Sequence, residues 1–247
     1  MMRRSQVLLI AGLSGVASLL LVPVEAIALL PGPPTVVRLL SIIQPAILTV
    51  IMVFAGDWAT RRTGLHAPVV DAWLQRDCVS PIVRRMAVPA ILGAMIAGLA
   101  VVAFALSYGN AIEHAATARQ STGTAFALPL ATKLLYGGIS EELITRWGLV
   151  SLFCLIGWRI TGRPAQLPYA AMIVAVSLAA LLFAAGHLPL LFAIVPDAST
   201  LFVIAVIAGN ALPGLVFGAL FIRYGIEAAI IAHMGAYLVS TAILTAI

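Results

Sequence analysis

Two adjacent carboxylates and a guanidinium, in Glu141-Glu142-Leu143-Ile144-Thr145-Arg146, interrupt a stretch otherwise suited to a bilayer interior. Charge at that depth costs roughly 2.5–3.5 kcal/mol per group on insertion scales, so an ionisable cluster there calls for a function. Phe183-Ala184-Ala185-Gly186-His187 and His233 add one imidazole each to two further apolar segments. On a helix, Glu142 and Arg146 lie one turn apart and can pair, which offsets part of the cost of burying both. Glu141 points about 100° away from Glu142. One carboxylate can therefore be neutralised structurally while the other faces a cavity, where a general base has to stand. With His187 and His233 it forms an acceptable set for activating a water and stabilising an oxyanion. The same groups could supply three ligands to zinc. No His-Glu-x-x-His is present, so the spacing compels no metal. The plainer reading is a structural ion pair beside a protonated glutamic acid, with the histidines as interhelical hydrogen-bond residues.

Three more polar residues lie at membrane depth. Asn210 is expected to bond between helices and Pro213 to kink its own, both structural roles. Tyr237 follows His233 by one turn and can hydrogen-bond into the same cavity. Asn210 and Tyr237 are thus secondary candidates. Lys133, two turns before Glu141, is near enough to tune its charge. Gly214 and Gly218 form a small-xxx-small face for close packing. There is no Gly-x-Ser-x-Gly elbow, no phosphate loop and no Gly-x-Gly-Asp.

The elements that must carry these residues are membrane helices. The 247 residues are 62% hydrophobic and 9% charged, with a mean hydropathy of +1.12. Soluble domains carry about 25% charged residues, so this composition cannot solvate a globular surface. An all-α bundle of seven to eight transmembrane helices is expected, with 1–247 as a single transmembrane domain. The apolar runs are Val7–Leu30, Thr35–Phe54, Met86–Leu106, Ala125–Trp158, Leu167–Ala185, Leu201–Ile222 and Ile226–Ile247. The fourth is too long for one straight crossing, and Gly137-Gly138 marks a break or a division into two helices. His187, followed by Leu188-Pro189, should end its helix. Ala67–Gln75 has the spacing of a short interfacial helix. The run after Met1-Met2-Arg3-Arg4, ending Val24-Glu25-Ala26, also fits a cleavable signal peptide, although an uncleaved first span is the better reading.

The net charge of +5 implies no nucleic-acid partner, because most arginines stand at the ends of apolar segments, as topology determinants do. Arg3, Arg4, Arg61, Arg62, Arg76, Arg84, Arg85, Arg159, Arg163 and Arg223 give a cytoplasmic N-terminus and an outward C-terminus if the fourth segment crosses once. The partners expected are the lipid bilayer and a protein or peptide substrate. Cys78 and Cys154 lie in different environments and offer neither a disulfide framework nor a CxxC site.

The motifs resemble those of the CPBP family (Abi, CAAX-protease and bacteriocin-processing), which are intramembrane endopeptidases. That family carries Glu-Glu-x-x-x-Arg, Phe-x-x-x-His and His-x-x-x-Asn or Asp on separate helices. Here these are Glu141 to Arg146, Phe183 to His187, and His233-Met234-Gly235-Ala236-Tyr237. Tyr237 stands where the family usually has Asn or Asp. The resemblance covers about residues 125–245 and implies a catalytic core there. It implies Glu141 as the base, Glu142 and Arg146 holding it, and His187 and His233 polarising the scissile carbonyl or holding the water. Zinc-dependent and glutamate-dependent hydrolysis both stay open, and a bacterial-type cell membrane is the expected location. The prenyl-protein-processing members act from the cytosolic side, whereas the arginines place Glu141 and His187 nearer the outer half. A non-catalytic scaffold or immunity-type relative is the alternative. A proton-coupled transporter would need two related halves, and no such repeat is visible.

Overall fold

The computed structural model describes residues 2–23, 32–119 and 128–247, and among them every regular element is helical. In chain order these are α1 (Arg4–Ala17, continued by a tight turn over Ser18–Leu21), α2 (Pro34–Thr63), α3 (Pro68–Gln75), α4 (Ser80–Arg119) and α5 (Leu130–Ile160). They continue with α6 (Tyr169–Ala185), α7 (Leu188–Ile194), α8 (Thr200–Tyr224) and α9 (Ile226–Leu244). Seven helical segments are long and apolar enough to cross a membrane, so the protein is an integral membrane protein with a polytopic helix bundle. The expected end of the first span near Leu30, and the cleavage site at Ala26, lie outside the described residues.

Two helices outrun their apolar stretches. At 30 residues, α2 is about 45 Å long, well beyond the roughly 30 Å hydrocarbon core. Its last turns are held by charge instead. Asp57 accepts from Arg4 on α1 at 2.8 Å and from Arg61 at 2.7 Å, and Arg4 also reaches Asp71 on α3 at 3.4 Å. Gly64 then ends the helix at φ 76°, a left-handed conformation that a glycine adopts freely. The short helix expected over Ala67–Gln75 is α3. Its first backbone N–H groups, at Val69 and Val70, donate to Glu227 on α9 at 3.0 and 2.9 Å, so a carboxylate from elsewhere in the fold caps it. The helix α4 likewise continues beyond the apolar run Met86–Leu106, as far as Arg119.

The fourth apolar segment is one continuous helix from Leu130 to Ile160, not a break or a pair of helices. Its surplus length is taken up by widened i→i+5 turns over Lys133–Glu141 and Leu143–Val150. Such windings are rare and recur at functional sites. Gly137 and Gly138 serve packing. A Cβ on Gly137 would lie 2.6 Å from the Tyr237 ring, and one on Gly138 would strike the Met234 side chain. The glycine pair thus lets α9 lie directly against α5. With α1, α2, α6, α8 and α9 all packed on it, α5 is the axis of the bundle.

Helix direction alternates, which sorts the cations. Arg62 and Arg159 both stack on Trp58, at 4.6 and 5.3 Å, and His66, Arg85 and Arg223 line one small pocket. These contacts bring the ends of α2, α5 and α8 and the start of α4 to one face of the bundle, where Arg4 also lies. The opposite face carries Arg38 and Lys133.

Candidate active site

The widened turn of α5 points its two carboxylates in different directions. Glu142 is fully buried, and its Oε1 accepts from Arg146 Nη1 at 2.8 Å and from His233 Nδ1 at 2.7 Å. The Arg146 partnership matches the i,i+4 expectation. The His233 bond was not foreseen: it ties the Nδ1 atom to the buried acid, while the residue also lines a space beside the site. Two cation-capable donors on one oxygen compensate a charge that would be very costly alone. The second oxygen, Oε2, is buried without a hydrogen-bond partner among the described residues.

Arg146 is held on every side. Its Nη2 donates to the Gly214 carbonyl at 3.1 Å and its Nη1 to Thr145 Oγ1 at 2.6 Å. The guanidinium lies 5.5 Å from the Phe183 ring and 5.4 Å from the Phe217 ring, within cation–π range of both. Gly214 admits it, because a Cβ there would stand 3.3 Å from Nη2 and 3.1 Å from Ala180 Cβ. The Gly214/Gly218 face therefore seats α8 on α6 and leaves room for the guanidinium. Phe217, Gly214 and Thr145 were not legible as site residues. The Phe183 of the Phe-x-x-x-His motif was, though not its place over Arg146.

The two imidazoles are fixed by their Nδ1 atoms. His233 donates Nδ1–H to Glu142 and is stacked between Phe217, at 4.6 Å, and Tyr237, at 5.0 Å. His187 closes α6, and its Nδ1–H donates to the Phe183 carbonyl at 2.9 Å, with its ring edge-on to Phe183 at 4.7 Å. The helix ends at His187 as expected. It resumes at once as α7, because a proline, here Pro189, is tolerated in a first turn. Both histidines keep Nε2 for other partners.

Two spaces with lining residues in common adjoin these groups. A chamber of about 500 Å³ is walled mostly by apolar side chains and carries Glu141, Lys133, Tyr136, His187, Asn210 and Tyr237. A smaller space of about 50 Å³ is lined by His187, Asn210, Phe217, His233 and Tyr237. His187, Asn210 and Tyr237 border both, so Glu141 reaches the group from the large side and His233 from the small one. The Glu141 carboxylate makes no hydrogen bond or ion pair among the described residues. Asn210 was expected to bond across helices, but its Nδ2 donates to Val206 in its own helix at 2.8 Å. Its second N–H and its Oδ1 are left for the cavity. Cys154 is buried and Cys78 exposed, both as free thiols. Among the described residues no three of His, Cys, Asp and Glu converge as ligands for one metal ion. The Nδ1 atoms of both histidines are held by protein acceptors and their Nε2 atoms are left for a water or another ligand.

A buried Glu–Arg–His centre thus lies beside a water-sized space inside a polytopic bundle of membrane helices. Residues 123–239 match the family model described as "Type II CAAX prenyl endopeptidase Rce1-like". That segment, a little under half of the chain, carries the pattern of the CPBP family. No curated protein and no solved structure matches the chain.

Proposed function

We propose that the protein is an intramembrane endopeptidase that hydrolyses a peptide bond in a membrane-associated protein or peptide. Glu141 is its general base. One observation carries this reading: of two adjacent acids, Glu142 is bound by Arg146 and His233, while Glu141 is unpaired on the chamber wall. An intramembrane carboxylate without a cation is hard to explain as structure.

In the mechanism, Glu141 takes a proton from a water as its oxygen attacks the scissile carbonyl. His187 and His233 face the shared space with Nε2, one to hold the water and the other to steady the developing oxyanion or return the proton to the leaving amine. The His233–Glu142 bond holds that ring in place for those last roles. Asn210, with a spare N–H on the same space, is a donor for the carbonyl oxygen. Tyr237 offers a hydroxyl where the family pattern has an amide or acid. The catalytic core is taken as residues 125–245. Whether the substrate bears a prenyl group, as the name of the family model suggests, is a matter for the same assay.

The test is cleavage of a peptide library, with prenylated and unprenylated members, by the purified protein in liposomes. Cleavage by the parent and not by Glu141→Gln supports the reading. Equal rates from both would remove Glu141 as the base and with it this mechanism.

A further inference from the structure

Lys133 is the only lysine in the chain, and it lines the large chamber together with Glu141. Other cations that reach into the bundle have protein acceptors: Arg4 pairs with Asp57, Arg146 with Glu142, and Arg38 donates to the Val22 carbonyl. The Lys133 ammonium has no ion pair and no hydrogen bond among the described residues. Glu141, eight residues further along the widened turns of α5 and expected near enough to tune the charge, forms no ion pair with it. The chamber that Lys133 lines is walled largely by apolar side chains, among them Leu19, Leu128, Leu190, Leu191, Ile194 and Val195. A single unanswered positive charge on an apolar wall favours a ligand with an apolar body and an anionic group.

We propose that Lys133 forms an anion subsite of the chamber and recognises a carboxylate of the substrate, at a free chain terminus or on an acidic side chain. The assignment rests on the chamber being the substrate site, and it deepens that reading by naming what the substrate must carry. Lys133 is then a specificity residue, remote from the bond that is broken.

The experiment measures binding to the Glu141→Gln protein, so that nothing is turned over and a failure of the cleavage assay has no bearing on it. The probes are three fluorescent, N-acetylated Leu/Val hexapeptides: one with a free C-terminal carboxylate, one amidated, and one amidated with an internal Asp. Binding is measured in phosphatidylcholine nanodiscs. At least one acidic peptide should bind about tenfold or more tightly than the neutral one, the scale of one charge-assisted hydrogen bond. The preferred peptide identifies the source of the carboxylate. Adding Lys133→Met should erase the preference and Lys133→Arg should keep it, each with an unchanged melting temperature. Equal binding of all three peptides, or no binding, overturns the proposal, as does a preference that survives Lys133→Met. A preference abolished by phosphatidylglycerol would assign Lys133 to a lipid phosphate and overturn it too.

Discussion

Replacing Glu141 with glutamine keeps the side chain's shape and removes its capacity to accept a proton at neutral pH. A general base lost in this way should lower turnover by at least about 100-fold, with the melting temperature unchanged because no partner is left behind. The same change at Glu142 strips the charge that answers Arg146 and His233. Glu142→Gln should destabilise the fold by about 3–5 kcal/mol, the scale for breaking a desolvated pair, read as a fall in unfolding midpoint in a mild detergent. An unchanged midpoint would mean the guanidinium is satisfied by Gly214, Thr145 and the two phenyl rings alone. Asn210→Ala keeps the backbone and deletes the donor between the two spaces. If the amide steadies the oxyanion, kcat should fall about 10²–10³-fold while KM moves little. A rise in KM at constant kcat would make Asn210 a substrate contact instead.

Among the elements, α5 and α9 depend on each other most closely at the site. Tyr237 packs on Gly137, and the same ring stacks on His233. A methyl group at residue 137 therefore pushes a ring that positions a proposed catalytic imidazole. Gly137→Ala should cost about 1–3 kcal/mol as overpacking and lower activity beyond what the lost stability explains. The comparison is turnover per folded molecule, quantified by thermal unfolding of the same samples. The widened turns belong to this scale too, since they let Glu142 face Arg146 and His233 while Glu141 faces the chamber.

For the whole molecule, the uneven placement of cations makes a prediction about access. Arg4, Arg61, Arg62, Arg85, Arg159 and Arg223 gather at one face, and the chamber walls come from the other: Leu19 in the tight turn after α1, Leu128 before α5, and Ile194 at the end of α7. By the positive-inside rule the arginine-rich face is cytoplasmic, so the chamber belongs to the outer half. The exposed native Cys78, in the loop between α3 and α4, provides an internal reference. In the Glu141→Cys variant, the introduced thiol should react with a membrane-impermeant maleimide from the face opposite to the one that labels Cys78. Labelling of both thiols from one face would reverse the assignment of the chamber. Labelling of the introduced thiol from neither face would favour a sealed structural cluster.

Hydropathy alone determined that this is a polytopic helical membrane protein, because roughly 20-residue apolar runs have few other stable forms in a bilayer. The i,i+4 spacing determined the Glu142–Arg146 pair, and the position of α3 followed from its apolar periodicity, since both are matters of local helix geometry. Interactions between helices were beyond that reach. The bond from His233 to Glu142 spans 91 residues, and Glu142 could be seen as one side of a pair but not as the centre of three groups. Gly137-Gly138 reads as a helix breaker in one dimension and becomes a packing surface only when α9 is present. Asn210 bonds to the Val206 carbonyl one turn back in its own helix, a choice set by the side chain's surroundings. The separation of Glu141 from Glu142 into an open and a buried carboxylate was suggested by a 100° turn. Only the widened helix, and the neighbours packed around it, decided which acid faced which way.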